Sequence, residues 1–153
     1  MTAVFDEQMD EYVAVAERAL ADPDAWRGFC TYVESVCAMQ ADDRGFQAVL
    51  ARRFSCSPVF EAKRTRHFQL MRQLVTAAQV TGRLRPEFTD QDLALLVMAN
   101  DGLLARTAAV LPEAWRRPVA WLLVAWDSES RGAGDLPTAP PRAGIRRALE
   151  ADG

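Results

Sequence analysis

Histidine is almost missing from this chain: His67 stands alone in 153 residues. One imidazole cannot build a His-rich metal site, and neither an H-E-x-x-H helix nor a C-x-x-C pair supplies zinc ligands. Cysteine is scarce and odd in number, with Cys30, Cys37 and Cys56. Cys30 and Cys37 fall seven positions apart in an expected helix, about 10 Å between Cα atoms, which exceeds disulfide reach. All three read as small apolar residues in a reducing compartment. Redox sensing by Cys56, in the turn Ser55-Cys56-Ser57-Pro58, is the alternative reading of that residue. Phosphate-cradling loops of the G-x-x-x-x-G-K-[ST] or G-x-G-x-x-G kind are missing, as is a G-x-S-x-G elbow. The expectation is a protein without catalytic residues, metal or cofactor; a Cys–His pair using His67 would need the fold to assemble it.

Positive charge is also in short supply. Eighteen Lys and Arg stand against 21 Asp and Glu, a net charge of -3. A domain that grips DNA by neutralising phosphates is expected to be basic, so composition argues against direct nucleic-acid binding. The cluster Arg52, Arg53, Lys63, Arg64, Arg66 and Arg72 spreads around two expected helices without interleaved aromatics, and reads as solvated surface. No basic segment precedes an apolar block at the start, where Asp6, Glu7, Asp10 and Glu11 sit. The longest apolar run near the C-terminus, Val119 to Trp126, falls far short of the ~20 residues that cross a bilayer. A cytoplasmic protein with no membrane partner is expected.

What the chain does have is apolar residues, half of the total, enough for one domain with a substantial core. Their spacing is helical throughout. Phe5, Met9, Tyr12, Val13, Ala16 and Leu20 mark a first helix that stops before Pro23. Asp22 is the expected cap of the second, with Pro23 at its first position and Trp26, Phe29, Cys30, Val33, Val36 and Cys37 on its apolar face. A short third helix is expected from Phe46 to Phe54, and Ser57-Pro58 starts a fourth that runs to Thr81. The fifth begins after Thr89 and ends before Pro112, which starts a sixth reaching about Ser128. Pro118 should kink the sixth or delay its regular start. The expected architecture is all-α, a bundle of about six helices. Residues 1–131 form the domain, and 132–153 form a Pro/Gly-rich tail in which Ile145 to Ala151 can make a helical turn or two.

The segment Gly82-Arg83-Leu84-Arg85-Pro86-Glu87-Phe88-Thr89-Asp90-Gln91-Asp92-Leu93 is a helix end, a stiff joint and a helix start. Gly82 suits the left-handed closing position, Pro86 holds Arg85 extended, and Thr89 with Asp92 forms a short capping box. Beyond this joint, the fifth helix is apolar or small around most of its circumference. Leu93, Leu96, Val97, Asn100 and Leu104 lie on one side, with Leu95, Ala99, Gly102 and Arg106 opposite. The sixth reads Val-Ala-Trp-Leu-Leu-Val-Ala-Trp. Helices apolar all round are buried all round. The expected cover is a second copy of the chain, with Leu95, Ala99, Gly102, Arg106, Trp121 and Ala125 near a twofold axis. Loops or the tail are the alternative cover.

Polar residues on apolar faces are the remaining signal. His67 falls in the middle of the fourth helix's apolar face, with Arg64 at its edge; Asn100 lies among the leucines of the fifth, and Gln40 on the second. Each reads either as a satisfied core residue or as part of a small-molecule pocket. The pocket reading places a cavity between helices two, four and five. Phe29, Val33, Cys37, Phe60, Met71, Leu74, Val97 and Leu104 would line it, and His67 and Asn100 would be its polar groups.

The wording G-x-L-R-P-E-F-T-x-x-D-L before a helix containing Met98-Ala99-Asn100-Asp101-Gly102-Leu103 resembles the C-terminal half of TetR-family transcriptional regulators. Ala41-Asp42-Asp43-Arg44-Gly45-Phe46 is similar to that family's A-x-D-R-G-[LF] link, and Trp115-Arg116-Arg117 with Asp127 is similar to its last helix. The resemblance runs from the first helix to Leu136-Pro137. It implies an effector-binding and dimerisation domain of a repressor, whose last two long helices form a dimeric four-helix interface and whose small, mostly apolar effector moves the helix leading to a DNA-binding head. That head would precede the first helix and is missing from this sequence, so DNA would be reached only through it. A stand-alone helical dimerisation protein without effector or DNA is the alternative.

Overall fold

Asp24, not Asp22, starts the second helix. Its carboxylate accepts from the Arg27 amide, whereas Asp22 is engaged by the Asp24 amide and, through two bonds of 2.7 and 2.9 Å, by the Arg27 guanidinium. Pro23 therefore lies just outside the helix. The chain is known as a computed structural model that describes residues 2–43, 57–130 and 141–144. Among them are five helices: α1 (Thr2–Leu20), α2 (Ala25–Asp42), α3 (Pro58–Val80), α4 (Asp90–Thr107) and α5 (Arg116–Trp126). The all-α expectation holds for these residues; the short helix expected at 46–54, Cys56 and the helical turns expected at 145–151 lie outside them.

Local signals set most boundaries. Ser57 accepts from the Phe60 amide with Pro58 in the first turn of α3. Gly82, at φ 80°, closes that helix, and the Leu84 amide reaches back to the Ala78 carbonyl. The Asp92 carboxylate accepts from the Thr89 amide at 2.8 Å and from its hydroxyl at 3.2 Å, starting α4 as the capping box requires.

The two C-terminal helices are shorter than expected. Regular α4 stops at Thr107, and turns carry the chain through Pro112 to Arg116. Pro112 biases its predecessor away from helix, and Pro118, inside the first turn of α5, removes an amide from it. The sixth expected helix thus becomes α5, which ends at Trp126 rather than Ser128.

α2 is the centre of the bundle and packs against all four other helices, while α1 lies along both α2 and α3. The α1–α2 corner is tight. A Cβ on Gly28 would stand 2.3 Å from the Ala19 carbonyl oxygen, so only glycine allows this approach. One apolar core joins the helices: Met9, Tyr12 and Ala16 of α1, Phe29, Val33 and Cys37 of α2, Leu70, Leu74 and Ala78 of α3, Leu93, Leu96 and Leu104 of α4, and Val119 and Leu123 of α5. None of the described helices is long and apolar enough to cross a membrane.

Candidate functional site

Three helices meet at the single histidine. His67 projects from α3 and is 7% exposed. Its Nε2 shares a 2.9 Å hydrogen bond with the Tyr32 hydroxyl of α2, and its ring meets the Tyr12 ring of α1 edge-on at 5.5 Å. Phe68 flanks it at 5.7 Å. Burial among rings pushes the imidazole down to about 4, so it is neutral at physiological pH. Burial likewise raises the Tyr32 phenol, keeping it protonated. This pair is a neutral donor–acceptor contact between two buried side chains.

A second polar group lies further along α2. The Asn100 side chain, 3% exposed, donates to the Gln40 side-chain oxygen at 3.0 Å and to the Cys37 carbonyl at 3.5 Å. Gln40 in turn donates to the Val97 carbonyl at 2.9 Å. Two buried amides so lock α4 onto the C-terminal part of α2. Gln40, expected on the apolar face of the second helix, is the partner of Asn100.

The residues expected to line one cavity are nearly all inside. Phe29, Val33, Cys37, Phe60, Met71, Leu74 and Leu104 are buried, and Val97 is partly so. All belong to the one core, Val97 packing against it, and those on α2 are spread along the helix. Phe29 belongs to an aromatic group with Trp26, Phe88 and Trp126, near the start of α2. Tyr32 and His67 follow, and Gln40 and Asn100 come last. From Phe29 to Gln40 the helix rises about 16 Å. Among the described residues no hydrogen bond joins the His67 pair to the Asn100 pair. Arg64 is half-buried at the margin and lies 3.6 Å from Glu61.

Cysteines 30 and 37 are free thiols, and burial pushes each up to about 12, far from a reactive thiolate. Among the described residues no group of three or more His, Cys, Asp and Glu side chains could hold a metal ion. The basic cluster is partly neutralised by neighbours: Lys63 pairs with Asp10 at 2.9 Å and Arg66 with Glu17 at 3.5 Å, tying α3 to α1. Arg52 and Arg53 lie outside the described residues.

The outward faces of α4 and α5 are unusual. Leu95, Ala99, Gly102 and Arg106 of α4 are all exposed, at a spacing that puts them on one stripe. A Cβ on Gly102 would meet nothing within 4 Å. On α5, Trp121 is 63% exposed and Val124 54%, with Ala120 and Ala125 beside them. Within one chain each of these helices docks one side on α2 and leaves open the other, the side for which a second copy is the expected cover.

Sequence reasoning missed Tyr32 as the partner of His67, and Arg83 as the partner of Asp127. Arg83 holds the Asp127 carboxylate through bonds of 3.1 and 2.6 Å, which lowers that carboxyl below its ordinary value, and lies 5.5 Å over the Trp26 ring. Tyr32 had a local signal, since it lies one helical turn after Phe29 on the buried face. The Arg83–Asp127 pair had none beyond charge. Compared with known proteins, the sequence matches no family model and no curated protein.

Proposed function

We propose that the chain is the effector-binding and dimerisation domain of a TetR-like regulator, a repressor acting as a homodimer. The observation that carries this reading is the pair of open apolar faces, Leu95, Ala99 and Gly102 on α4 with Trp121, Val124 and Ala125 on α5. A large exposed apolar surface on a helical domain marks an interaction site, and a twofold pairing of identical faces is the commonest way to cover one. The small residues Ala99 and Gly102 allow close helix approach at that contact. Any effector would be small and mostly apolar, taken up beside His67 or Asn100, where neutral hydrogen-bonding groups sit among Phe, Met and Leu side chains. DNA would be reached through a separate helix-turn-helix head.

Sedimentation equilibrium at micromolar concentration tests the dimer. The expected result is a dimer that Trp121→Glu converts to monomer; a monomeric parent protein refutes the reading. The second reading, a helical dimerisation protein without effector, is favoured by one observation. His67 is already bonded to Tyr32, and Asn100 to Gln40, which in turn bonds the Val97 carbonyl. The gene discriminates the two: about fifty codons of helix-turn-helix in frame ahead of this segment support the regulator, and a stop codon there supports the second reading.

A further inference from the structure

α5 has eleven residues, and an isolated helix of that length is marginal in water. Its position must come from what it touches. The N-terminal end is held by packing rather than by a cap: Trp115 is buried in the core, no side chain caps the helix, and Pro118 contributes no amide to its first turn. Inward, Val119 and Leu123 reach the core, and α2 is the helix it docks on.

The other end is held quite differently. The joint after α3 runs antiparallel to the exit of α5, with Leu84 opposite Asp127. The Arg85 amide donates to the Trp126 carbonyl at 3.0 Å, and the Ser128 amide to the Arg83 carbonyl at 2.7 Å. Arg83 grips Asp127 as a fork while lying over Trp26 of α2. Arg85 donates to the carbonyls of Ala125 at 2.6 Å and Ser130 at 3.0 Å. Cations at the last carbonyls of a helix also oppose its dipole. Ser128 adds a bond to the Gly82 carbonyl.

We infer that this pairing of Arg83, Leu84 and Arg85 with residues 125–130 is a clasp that positions α5, and that opening it frees α5 as a unit while α1, α2 and α3 stay folded. The clasp links α5 to the very joint that sets the angle between α3 and α4. Displacing α3 or the joint therefore shifts the face carrying Trp121, Val124 and Ala125. That consequence for subunit contact rests on the homodimer reading above; the release of α5 does not. Asp127 and Arg83 are positioning residues in this scheme.

Asp127→Asn removes the nearer of the two carboxylates on Arg83, Glu129 lying at 3.6 Å, and Arg83→Lys keeps the charge but loses the fork. Asp22→Asn, which breaks the ion pair with Arg27 at the α1–α2 corner, serves as the comparison. Amide hydrogen exchange, resolved along the chain, is read together with sedimentation. Expected in Asp127→Asn is a rise of tenfold or more in exchange across 116–126, with α1 and α2 unchanged, and a smaller rise in Arg83→Lys. Asp22→Asn should leave α5 unaffected. Unchanged exchange in α5, or an equal rise throughout the domain, overturns the clasp. Failure of Asp127→Asn to fold also counts against it, because the core is then not independent of the grip, and Arg83→Lys must show the selective rise for the inference to stand. If α5 loosens selectively but the parent protein sediments as a monomer, the clasp stands and the dimer reading falls. If the parent is a dimer and α5 exchange is unaltered, the dimer reading stands and the clasp falls.

Discussion

Acid should unfold this protein through His67 before most of its carboxylates matter. The imidazole is buried and held down to about 4 in the folded chain, while an unfolded histidine titrates near 6.5. Below about pH 6.5 the unfolded state therefore takes up a proton that the folded state refuses. Stability is full above that pH, falls as the pH drops toward 4, and levels off once both states are protonated. At roughly 1.4 kcal/mol per pH unit, the interval corresponds to about 3 kcal/mol. That is a large share of the 5–15 kcal/mol typical of a whole domain, as an order of magnitude. Urea unfolding at pH 7.5, 6.0, 5.0 and 4.5, at fixed protein concentration, measures it. His67→Leu supplies the reference. It leaves the Tyr32 hydroxyl without its partner, at a cost of about 1–3 kcal/mol at every pH, but it removes the titration. The difference between parent and variant should shrink as the pH falls, because only the parent loses stability through this group. Parallel curves for the two proteins would refute a neutral, buried His67. A parent that gains relative stability in acid would refute it more strongly, since that requires a carboxylate partner for the imidazolium.

Gly28→Ala should destabilise the domain by about 1–3 kcal/mol, as overpacked contacts do, because its Cβ meets the Ala19 carbonyl oxygen at 2.3 Å; a melting temperature equal to the parent's would show that the corner can relax. Asn100→Leu strips the Gln40 oxygen of its buried donor, at about 1–3 kcal/mol, measured by denaturant midpoint; the loss should be much smaller in Gln40→Leu/Asn100→Leu, where both amides go together. Gly102→Leu has open space around it within the chain, so the monomer should keep or gain stability, by up to ~1 kcal/mol of helix propensity. The same change should weaken self-association in sedimentation if Gly102 lies at a subunit contact, and equal association by both proteins would remove it from that contact.

The helix starts at Ser57-Pro58 and Thr89, and the stop at Gly82, were legible because each is decided within four residues by a cap, a proline or a left-handed position. Asp22 against Asp24 was not, since the outcome turns on Arg27 capturing the first carboxylate. The burial of His67, Gln40 and Asn100 could be read from helical spacing alone. Their partners could not. Spacing places a side chain on a face, but says nothing of which helix will lie opposite, and Tyr32 with His67 or Arg83 with Asp127 are separated by 35 and 44 positions. What covers the last helix was not legible for a related reason. Its sequence without a polar side says how much surface must be covered, not whether the same chain covers it, and here Trp121 stays open.

The central place of α2 has a consequence for how the chain is made. α2 is complete at Asp42, yet its neighbours α3, α4 and α5 end only at Val80, Thr107 and Trp126. Roughly eighty residues of synthesis separate the hub from its last partner, on the order of ten seconds at the usual pace of translation. During that interval Phe29, Tyr32, Val33 and Cys37 have α1 on one flank and water on the others. Three of the four helices that cover α2 are thus still to come when it is complete, and its core face stays unshielded until they follow. Ribosome-associated holdases should find their grip on the α1–α2 hairpin, and stalled fragments ending between α2 and α4 should be the ones that clump.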